Sequence, residues 1–442
     1  MTYILILFLT YVLHLLLKLN WVCTAVVLVF LLVMQHFHRI KGQRFQEARK
    51  RFLDVSLYID TLLYSFLKEQ KIIRAFEDVK STLADGHMKE TVSRAIDHMM
   101  LTFDETEVFV DAMRIIEDEY KCNRIVNAHE FMAHAEYYGG DIKESARILL
   151  KDKSAWERRI LRNIEDRQRM FHQIILSVVT SVIISGIILY LPVLSMDISS
   201  NIIVQILSAA LIVLDDLIIL WGQKFLEVDY LGIDLLPEDD KHAKKLDEYK
   251  AYNPAKELRT SILMAIIPAL ASAFLLYTDR QWPAVAAMGA ALICLNQHRI
   301  GHRLMKKNLI ADVKSAFPKW LMDLALLIQS ENVQVAIQKS REHIPVILKE
   351  EVNTLVERLD VEPESSDPYH RFLDCLNLPE INAAMGMLYA VSIGNSGNCG
   401  SQIDELITKN LEMLDAADTA RLKDKTAGMY LLFLAPVITA SF

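Results

Sequence analysis

Long apolar runs alternate with strongly charged stretches along this chain of 442 residues. Basic residues cluster after the first apolar region (residues 39–51), before the second (158–169) and after the third (298–307). Because lysine and arginine are retained on the cytoplasmic side of a membrane, each cluster assigns its neighbourhood to that side. Short connections such as residues 195–200 then fall on the opposite side. The pattern predicts a multi-pass protein of the cell membrane whose soluble parts are cytoplasmic.

The composition restricts the classes of function. Hydrophobic residues make up 52% of the chain and charged residues 24%, a mixture that fits apolar spans joined to polar soluble regions. The net charge of −8 argues against nucleic acid as a main partner. The five cysteines form no CxxC pair, and Cys23 and Cys294 lie in apolar runs. We therefore predict reduced thiols, no disulfide framework and no zinc site.

The first apolar region, residues 1–38, allows two arrangements. Residues 3–17 and 21–34 are apolar on either side of Lys18, and each run is shorter than the ~20 residues of a usual span. The region forms either a hairpin of two short helices or one long tilted helix. The hairpin is favoured, because Lys18 inside a span would cost about 2.5–3.5 kcal/mol. No basic segment precedes the apolar run, so a secretory signal peptide is not predicted.

The remaining chain divides by the same criterion of hydropathy and charge. In order, the predicted segments are a soluble bundle (39–170), a transmembrane hairpin (171–222), a polar cytoplasmic connector (223–259), a second transmembrane hairpin (260–297), a second soluble bundle (298–426) and a C-terminal transmembrane segment (427–442). The connector is too long for a turn and too polar for a hydrophobic core of its own.

Both soluble regions are predicted to be helical, and they resemble each other. Apolar residues recur at i, i+3, i+4 and i+7 from Leu321, and nothing in either region predicts a strand. Residues 64–75 read YSFLKEQKIIRA and residues 325–336 read ALLIQSENVQVA. Each is a helix end, a polar turn and a helix restart with alanine at the same place. The predicted fold class is all-α: a polytopic α-helical membrane protein with two repeated cytoplasmic helical-bundle domains in the same helix order.

A tandem of helical cytoplasmic domains, each followed by a span, resembles the F-type inner-membrane platform proteins of type II secretion systems and type IV pili. The resemblance covers residues 52–194 and 316–442, and its second copy carries the residues Pro368-Tyr369-His370-Arg371-Phe372, Leu378-Pro379-Glu380-Ile381, Leu388-Tyr389 and Ser401-Gln402-Ile403. The extra hairpin at 260–297 is more similar to the platform subunits of Tad (Flp) pili or to the archaellum platform protein. The resemblance implies a non-enzymatic scaffold without cofactors. It also implies partners: a cytoplasmic assembly ATPase, pilin or pseudopilin subunits, and further platform subunits.

Asp215 and Asp216 are candidate functional residues, because they lie inside the apolar run 202–221. Ionisable residues within a span mark functional sites by default. They could conduct protons or ions, which is the basis of a rival function as a polytopic secondary transporter. A structural role near the cytoplasmic boundary is favoured, since fewer than two turns separate them from Gln223. More than half of the chain is soluble, which also argues against a transporter.

Other patterns give no catalytic or metal site. His129 and His134 resemble an HExxH motif with one extra residue, so they are five apart and cannot share a zinc ion; we predict that these histidines, with His87 and His98, are solvated. The glycine-rich residues 394–400 lack a phosphate-binding motif and are predicted to form a turn. The arginines at 158–169 could bind anionic lipid headgroups or simply flank a span.

The candidate partner-docking residues are Glu117, Asp118 and Glu119, an acidic cluster on a predicted helix of the first bundle. Exposed charges of this kind steer a partner mainly through the association rate and its salt dependence. For any one of the three residues, a solvated helix face is the simpler interpretation. The cluster as a whole is the expected contact for the ATPase, and Asp215 and Asp216 are expected to be dispensable for that contact.

Overall fold

The computed structural model describes residues 2–101, 108–138, 142–190, 201–232, 240–277, 281–328, 331–342, 344–394 and 399–440. Within these residues the chain is helical and contains no strand. The helices are α1 (Thr2–Leu16), α2 (Trp21–Glu69), α3 (Ile72–Thr82), α4 (His87–Leu101), α5 (Val108–Tyr120), α6 (Asn123–Tyr138), α7 (Ile142–Tyr190), α8 (Ile202–Lys224), α9 (Asp240–Lys250), α10 (Pro254–Tyr277), α11 (Gln281–Leu327), α12 (Val333–Lys339), α13 (Lys349–Val361), α14 (Asp367–His370), α15 (Pro379–Ile393) and α16 (Cys399–Ala440). The predicted all-α class is confirmed for this part of the chain.

In the part of the chain that the structure describes, four helices are long and apolar enough to cross a membrane, namely α2, α7, α8 and α10. Shorter apolar helices lie at Tyr3–Leu16 and Gly428–Ile438. Among the described residues, α11 does not meet the same criterion, although residues 282–295 were predicted as the second arm of a hairpin. The helix instead continues without a break into the charged residues beyond 297. The connection 195–200 and most of the predicted turn 394–400 lie outside the described residues.

The chain divides into two compact units. One comprises Met1–Leu235 with Arg421–Phe442, and the other comprises Leu236–Ala420. The helices α2, α7, α11 and α16 are 49, 49, 47 and 42 residues long. The predicted segment boundaries at 38/39, 170/171, 297/298 and 426/427 therefore fall inside continuous helices rather than at helix ends.

In the first unit, α1 and α2 meet at a turn around Lys18, whose φ of 46° is left-handed. Asn20 ends the turn, because its side chain caps α2 by accepting a hydrogen bond from the Cys23 amide (2.7 Å). Gln205 of α8 holds the same turn, donating to the Lys18 carbonyl (2.8 Å) and accepting from the Asn20 amide (2.7 Å). These bonds satisfy backbone groups that a membrane would otherwise leave without partners.

The apolar helices of this unit pack closely. A methyl group added at Gly186 of α7 would lie 2.6 Å from Leu16 Cγ of α1, so glycine is what allows this approach. The C-terminal part of α16 packs on α7 and α8, where Met429 and Leu432 join Ile174, Val178 and Ile218 in one buried cluster. The α7 hydroxyls also bind this part of α16: Ser177 donates to the Phe433 carbonyl (2.8 Å) and Ser181 to the Pro436 carbonyl (2.9 Å).

The charged halves of α2 and α7 enclose α3 to α6 in a helical bundle, which we call bundle one. Its core is apolar at helical spacing along α2, where Phe52, Val55, Ile59 and Phe66 are at most 1% exposed. The rings of Phe52 and Trp156 meet edge to face, with centroids 4.9 Å apart. Besides sequence neighbours, α3 packs on α6, α2 packs on α6 and α7, and α2 packs on α4.

The second unit contains the α10–α11 hairpin and a second bundle, bundle two, formed by the end of α11, α12 to α15 and the start of α16. Two of its buried aromatic side chains belong to the residues that carry the family resemblance. Tyr369 is fully buried, and Phe372 stacks on Trp320 with centroids 5.5 Å apart. These residues form packing contacts, as their sequence pattern indicated. Besides sequence neighbours, α12 packs on α15.

The polar connector forms a helix that packs on bundle two. The helix α9 buries Leu246 and pairs Lys245 with Asp312 (2.8 Å) and Lys250 with Glu351. Beyond the helix end, Tyr252 stacks on His302 at 3.9 Å between centroids. The connector is too polar to form a hydrophobic core of its own, and its helix packs against the surface of bundle two.

Candidate functional site

The candidate site lies where α2 and α8 leave the apolar part of the first unit. Asp216 Oδ1 is 3.1 Å from His38 Nε2, and His38 Nδ1 is 2.9 Å from Gln223 Oε1. Both ring nitrogens thus face oxygen atoms, and these oxygens can accept hydrogen bonds from an imidazole ring that carries a proton on each nitrogen. The side chains of His38 and Asp216 are only 17% and 14% exposed. Their ion pair is therefore shielded from water and joins the two helices.

The two neighbouring carboxylates have different environments. Asp215 is 2% exposed overall and lies in the buried stripe of α8 with Leu211, Ile212 and Ile218. Asp216 faces α2 and its histidine. The sequence placed both residues near the membrane boundary, and the helix end at Lys224 agrees with that position. The two carboxylates therefore face different surroundings, Asp215 the buried side of α8 and Asp216 the histidine of α2.

Further polar contacts extend this boundary layer past the end of α8. Lys41 of α2 pairs with Glu227 (3.4 Å), and the buried Arg167 of α7 donates to the Asn163 side chain (2.9 Å) and to the Phe225 carbonyl. Sequence reasoning missed these residues, because Lys41 and Arg167 were counted only as basic flanks. Glu227 is a signal that could have indicated a polar contact here, because it is an acidic residue just beyond a span whose flanks are otherwise basic.

The acidic docking cluster on α5 is not one exposed surface. Glu117 turns inward, and its Oε1 accepts a hydrogen bond from His129 Nδ1 (2.7 Å). Glu119 accepts one from His87 Nε2 (2.8 Å), which holds the pKa of Glu119 below its usual value. Asp118 is the exposed member of the three. Because successive helix residues are about 100° apart, the three carboxylates do not share one face: Glu117 is turned towards His129, Glu119 is bonded to His87, and Asp118 is left exposed.

His129 corrects the prediction that the histidines of bundle one are solvated. It is 1% exposed, between Glu117 and the Tyr58 hydroxyl, which lies 2.6 Å from Nε2. Burial lowers the pKa of His129, although the hydrogen bond to Glu117 opposes this shift. The neutral ring fits both partners: Nδ1–H donates to Glu117 and Nε2 accepts from Tyr58. The histidine is therefore a hydrogen-bonded core residue, and its spacing from the buried Ile125 and Met132 could have indicated it.

Within the described ranges, no group of three or more His, Cys, Asp or Glu side chains could hold a metal ion. Two further ionic contacts of bundle one link helices: Arg124 of α6 pairs with Asp152 of α7 (2.8 Å), and Lys153 of α7 pairs with Asp60 of α2. Lys153 also pairs with Glu157 of its own helix. The arrangement of the boundary layer suits the fixing of helices to one another. The fold and the boundary layer together define an all-helical membrane protein with four candidate spans.

The chain matches no model of a known protein family, and comparisons with curated proteins and with solved structures gave no match.

Proposed function

We propose that the chain is a cell-membrane platform protein of a pilus-assembly or type II secretion machine, most similar to the Tad (Flp) class. In this role bundle one and bundle two lie in the cytoplasm, receive motion from an assembly ATPase and pass it to spans that guide pilin or pseudopilin subunits. Other platform subunits complete the assembly. The function is mechanical, so it requires neither a catalytic site nor a cofactor.

The observation that carries the proposal is the correspondence of the two bundles. When Tyr64 is aligned with Ala325, buried positions coincide along the first helices: Phe52 with Val313, Val55 with Ala316, Ile59 with Trp320, Leu63 with Leu324, Ile72 with Val333, Ala75 with Ala336 and Phe76 with Ile337. The side chains differ, so the agreement lies in which positions face the core.

The order of contacts among the inner helices corresponds as well, although the packing of α2 on α6 and α7 has no equally extensive counterpart between α11 and α15 or α16. In bundle one, α3 packs on α4, α4 on α5, α5 on α6, and α3 also on α6; in bundle two, α12 packs on α13, α13 on α14, α14 on α15, and α12 also on α15. The helices α3 and α6, like α12 and α15, are not adjacent in the sequence, so their contact shows that the two bundles bring corresponding helices together. The proposed family requires a duplicated domain with a span after each copy. A candidate span in α7 follows bundle one, and the shorter apolar stretch Gly428–Ile438 of α16 follows bundle two.

The continuous helices supply the mechanical link. Each of α2 and α7 has 49 residues, which corresponds to about 74 Å of helix, far more than the ~30 Å of a bilayer core. One part of each helix packs in bundle one and the other is apolar. A displacement of bundle one therefore reaches the spans without passing through a flexible linker.

The test is whether an assembly ATPase co-purifies with this chain from membrane extracts. Asp118→Lys changes an exposed charge on α5 and is expected to weaken recruitment and alter its salt dependence. Asp216→Asn is expected to leave recruitment intact. Absence of any Walker-type ATPase from the purified wild-type complex would refute the proposal.

The secondary-transporter alternative rests on Asp215 and on the shielded His38–Asp216 pair. It predicts that proton-driven uptake of a solute into vesicles containing the chain is lost in Asp215→Asn. The platform proposal predicts that no such uptake exists in wild-type vesicles, so the two functions are separated by one measurement.

A further inference from the structure

The inference concerns one face of α7 that changes character along its length. Leu176, Val179 and Ile183 are exposed and apolar, and they recur at spacings of three and four residues. Exposed apolar side chains on a candidate span face the acyl chains of lipids. This face therefore marks where the protein surface meets the bilayer, whatever the function of the chain.

The same face carries basic side chains just before Leu176. Arg169 and His172 are exposed, and with Glu165, Gln168, Gln173 and Leu176 they line a shallow, open groove on the surface of α7. Arg169 pairs with Asp166, whose side chain is 50% exposed. An exposed pair of this kind contributes little stability, so an anion can replace the carboxylate as partner. The groove thus combines a cation and hydrogen-bonding side chains with the apolar Leu176 at one end, and Glu165 is its acidic member.

The structure separates these residues from the other arginines of α7. Arg159 and Arg167 are 6% and 3% exposed and are buried within the protein, so they cannot serve a lipid. Arg158 is exposed and lies on the same face. At 1.5 Å per residue, His172 and Arg169 lie about 6 and 10 Å along the helix from Leu176, whereas Arg158 lies about 27 Å away.

These distances decide which basic residues reach a headgroup. The headgroup layer is about 5–8 Å thick on each side, and the Debye length at physiological salt is about 8 Å. The distances of Arg169 and His172 from Leu176 along the helix are smaller than the sum of these two lengths, and the distance of Arg158 is larger. We propose that the groove formed by Arg169, His172 and Gln173 binds the phosphate of an anionic phospholipid, with Leu176 against the acyl chain.

The experiment uses the full chain in phosphatidylcholine nanodiscs that contain a minor fraction of spin-labelled phosphatidylglycerol. The motionally restricted fraction of the spin label reports lipid held at the protein surface, and spin-labelled phosphatidylcholine gives the reference. The double variant Arg169→Gln with His172→Gln should lower the preference for phosphatidylglycerol about fivefold, the factor that one interfacial arginine contributes. Arg158→Gln is the matched control, because it removes the same charge from the same face, and it should keep the wild-type preference.

Three results would overturn the assignment. An unchanged preference in the double variant would show that Arg169 and His172 hold no lipid, and an equal loss in Arg158→Gln would indicate diffuse attraction instead of a site. The third is loss of the preference when excess inorganic phosphate is added to the wild-type chain. That result would identify a site for free phosphate rather than for lipid.

Discussion

Glu117→Lys and Asp118→Lys are expected to differ sharply in their effect on stability, although the residues are adjacent. Glu117 accepts a hydrogen bond from His129, which is 1% exposed, whereas Asp118 is on the solvent side of α5. Loss of the Glu117 carboxylate leaves the His129 Nδ1–H without an acceptor, which costs about 1–3 kcal/mol. Substitutions at exposed positions such as Asp118 change stability by about 0.5 kcal/mol or less.

A loss of about 2 kcal/mol corresponds to a decrease in Tm of about 4–8 °C for a domain of this size. The assay is thermal unfolding of the detergent-purified chain in which the other four tryptophans are replaced by phenylalanine, followed by the fluorescence of Trp156, which is buried in the same bundle. Asp118→Lys should unfold at the wild-type temperature, which also makes it the suitable variant for the recruitment test. Equal Tm values for the two variants would refute the buried Tyr58–His129–Glu117 arrangement.

Two further predictions follow from particular contacts. As the pH falls below about 6.5, His129 becomes protonated in the unfolded chain but not in the folded chain, because burial lowers its pKa there. The free energy of unfolding should therefore decrease between about pH 7 and 5.5. Urea titrations at a series of fixed pH values measure this slope, and His129→Gln should flatten it. A steeper slope in the variant would contradict the assignment. Gly186→Ala should destabilise the protein by about 1–3 kcal/mol, because its methyl group would collide with Leu16. Gly42→Ala is the control, since nothing lies within 4 Å of the added methyl group and the exchange should be neutral or stabilising.

The sequence predicted helices well because their signals are local. Apolar spacing located α2 and α11, and asparagines at positions 20, 201 and 332 cap helix starts through their own side chains. The continuity of the long helices was harder to predict. No residue near 170 or 297 marks a helix end, so a change of hydropathy along one helix was interpreted as a boundary between segments.

Contacts between distant residues were beyond prediction. His38 and Asp216 are brought together by the packing of α2 against α8, and nothing near either residue indicates the other. The burial of His129 had a signal in its spacing from Ile125 and Met132, but its polarity argued for solvent until Tyr58 and Glu117 were found to be its partners. The connector helix α9 likewise depends on Asp312 and Glu351, which lie far along the chain.

The most direct test of the account is the side of the membrane on which the two bundles lie. Single cysteines would be placed at Asp85 in bundle one, at Ser365 in bundle two and at Ser199, in a chain whose native cysteines are replaced by serine. The Asp85 side chain is 98% exposed, and Ser365 is half-buried in the turn after α13, so labelling after lysis is what establishes access at Ser365. With a membrane-impermeant thiol reagent applied to intact cells, the account predicts labelling at Ser199 only, and labelling at all three sites after lysis. Labelling of Asp85→Cys or Ser365→Cys in intact cells would contradict it.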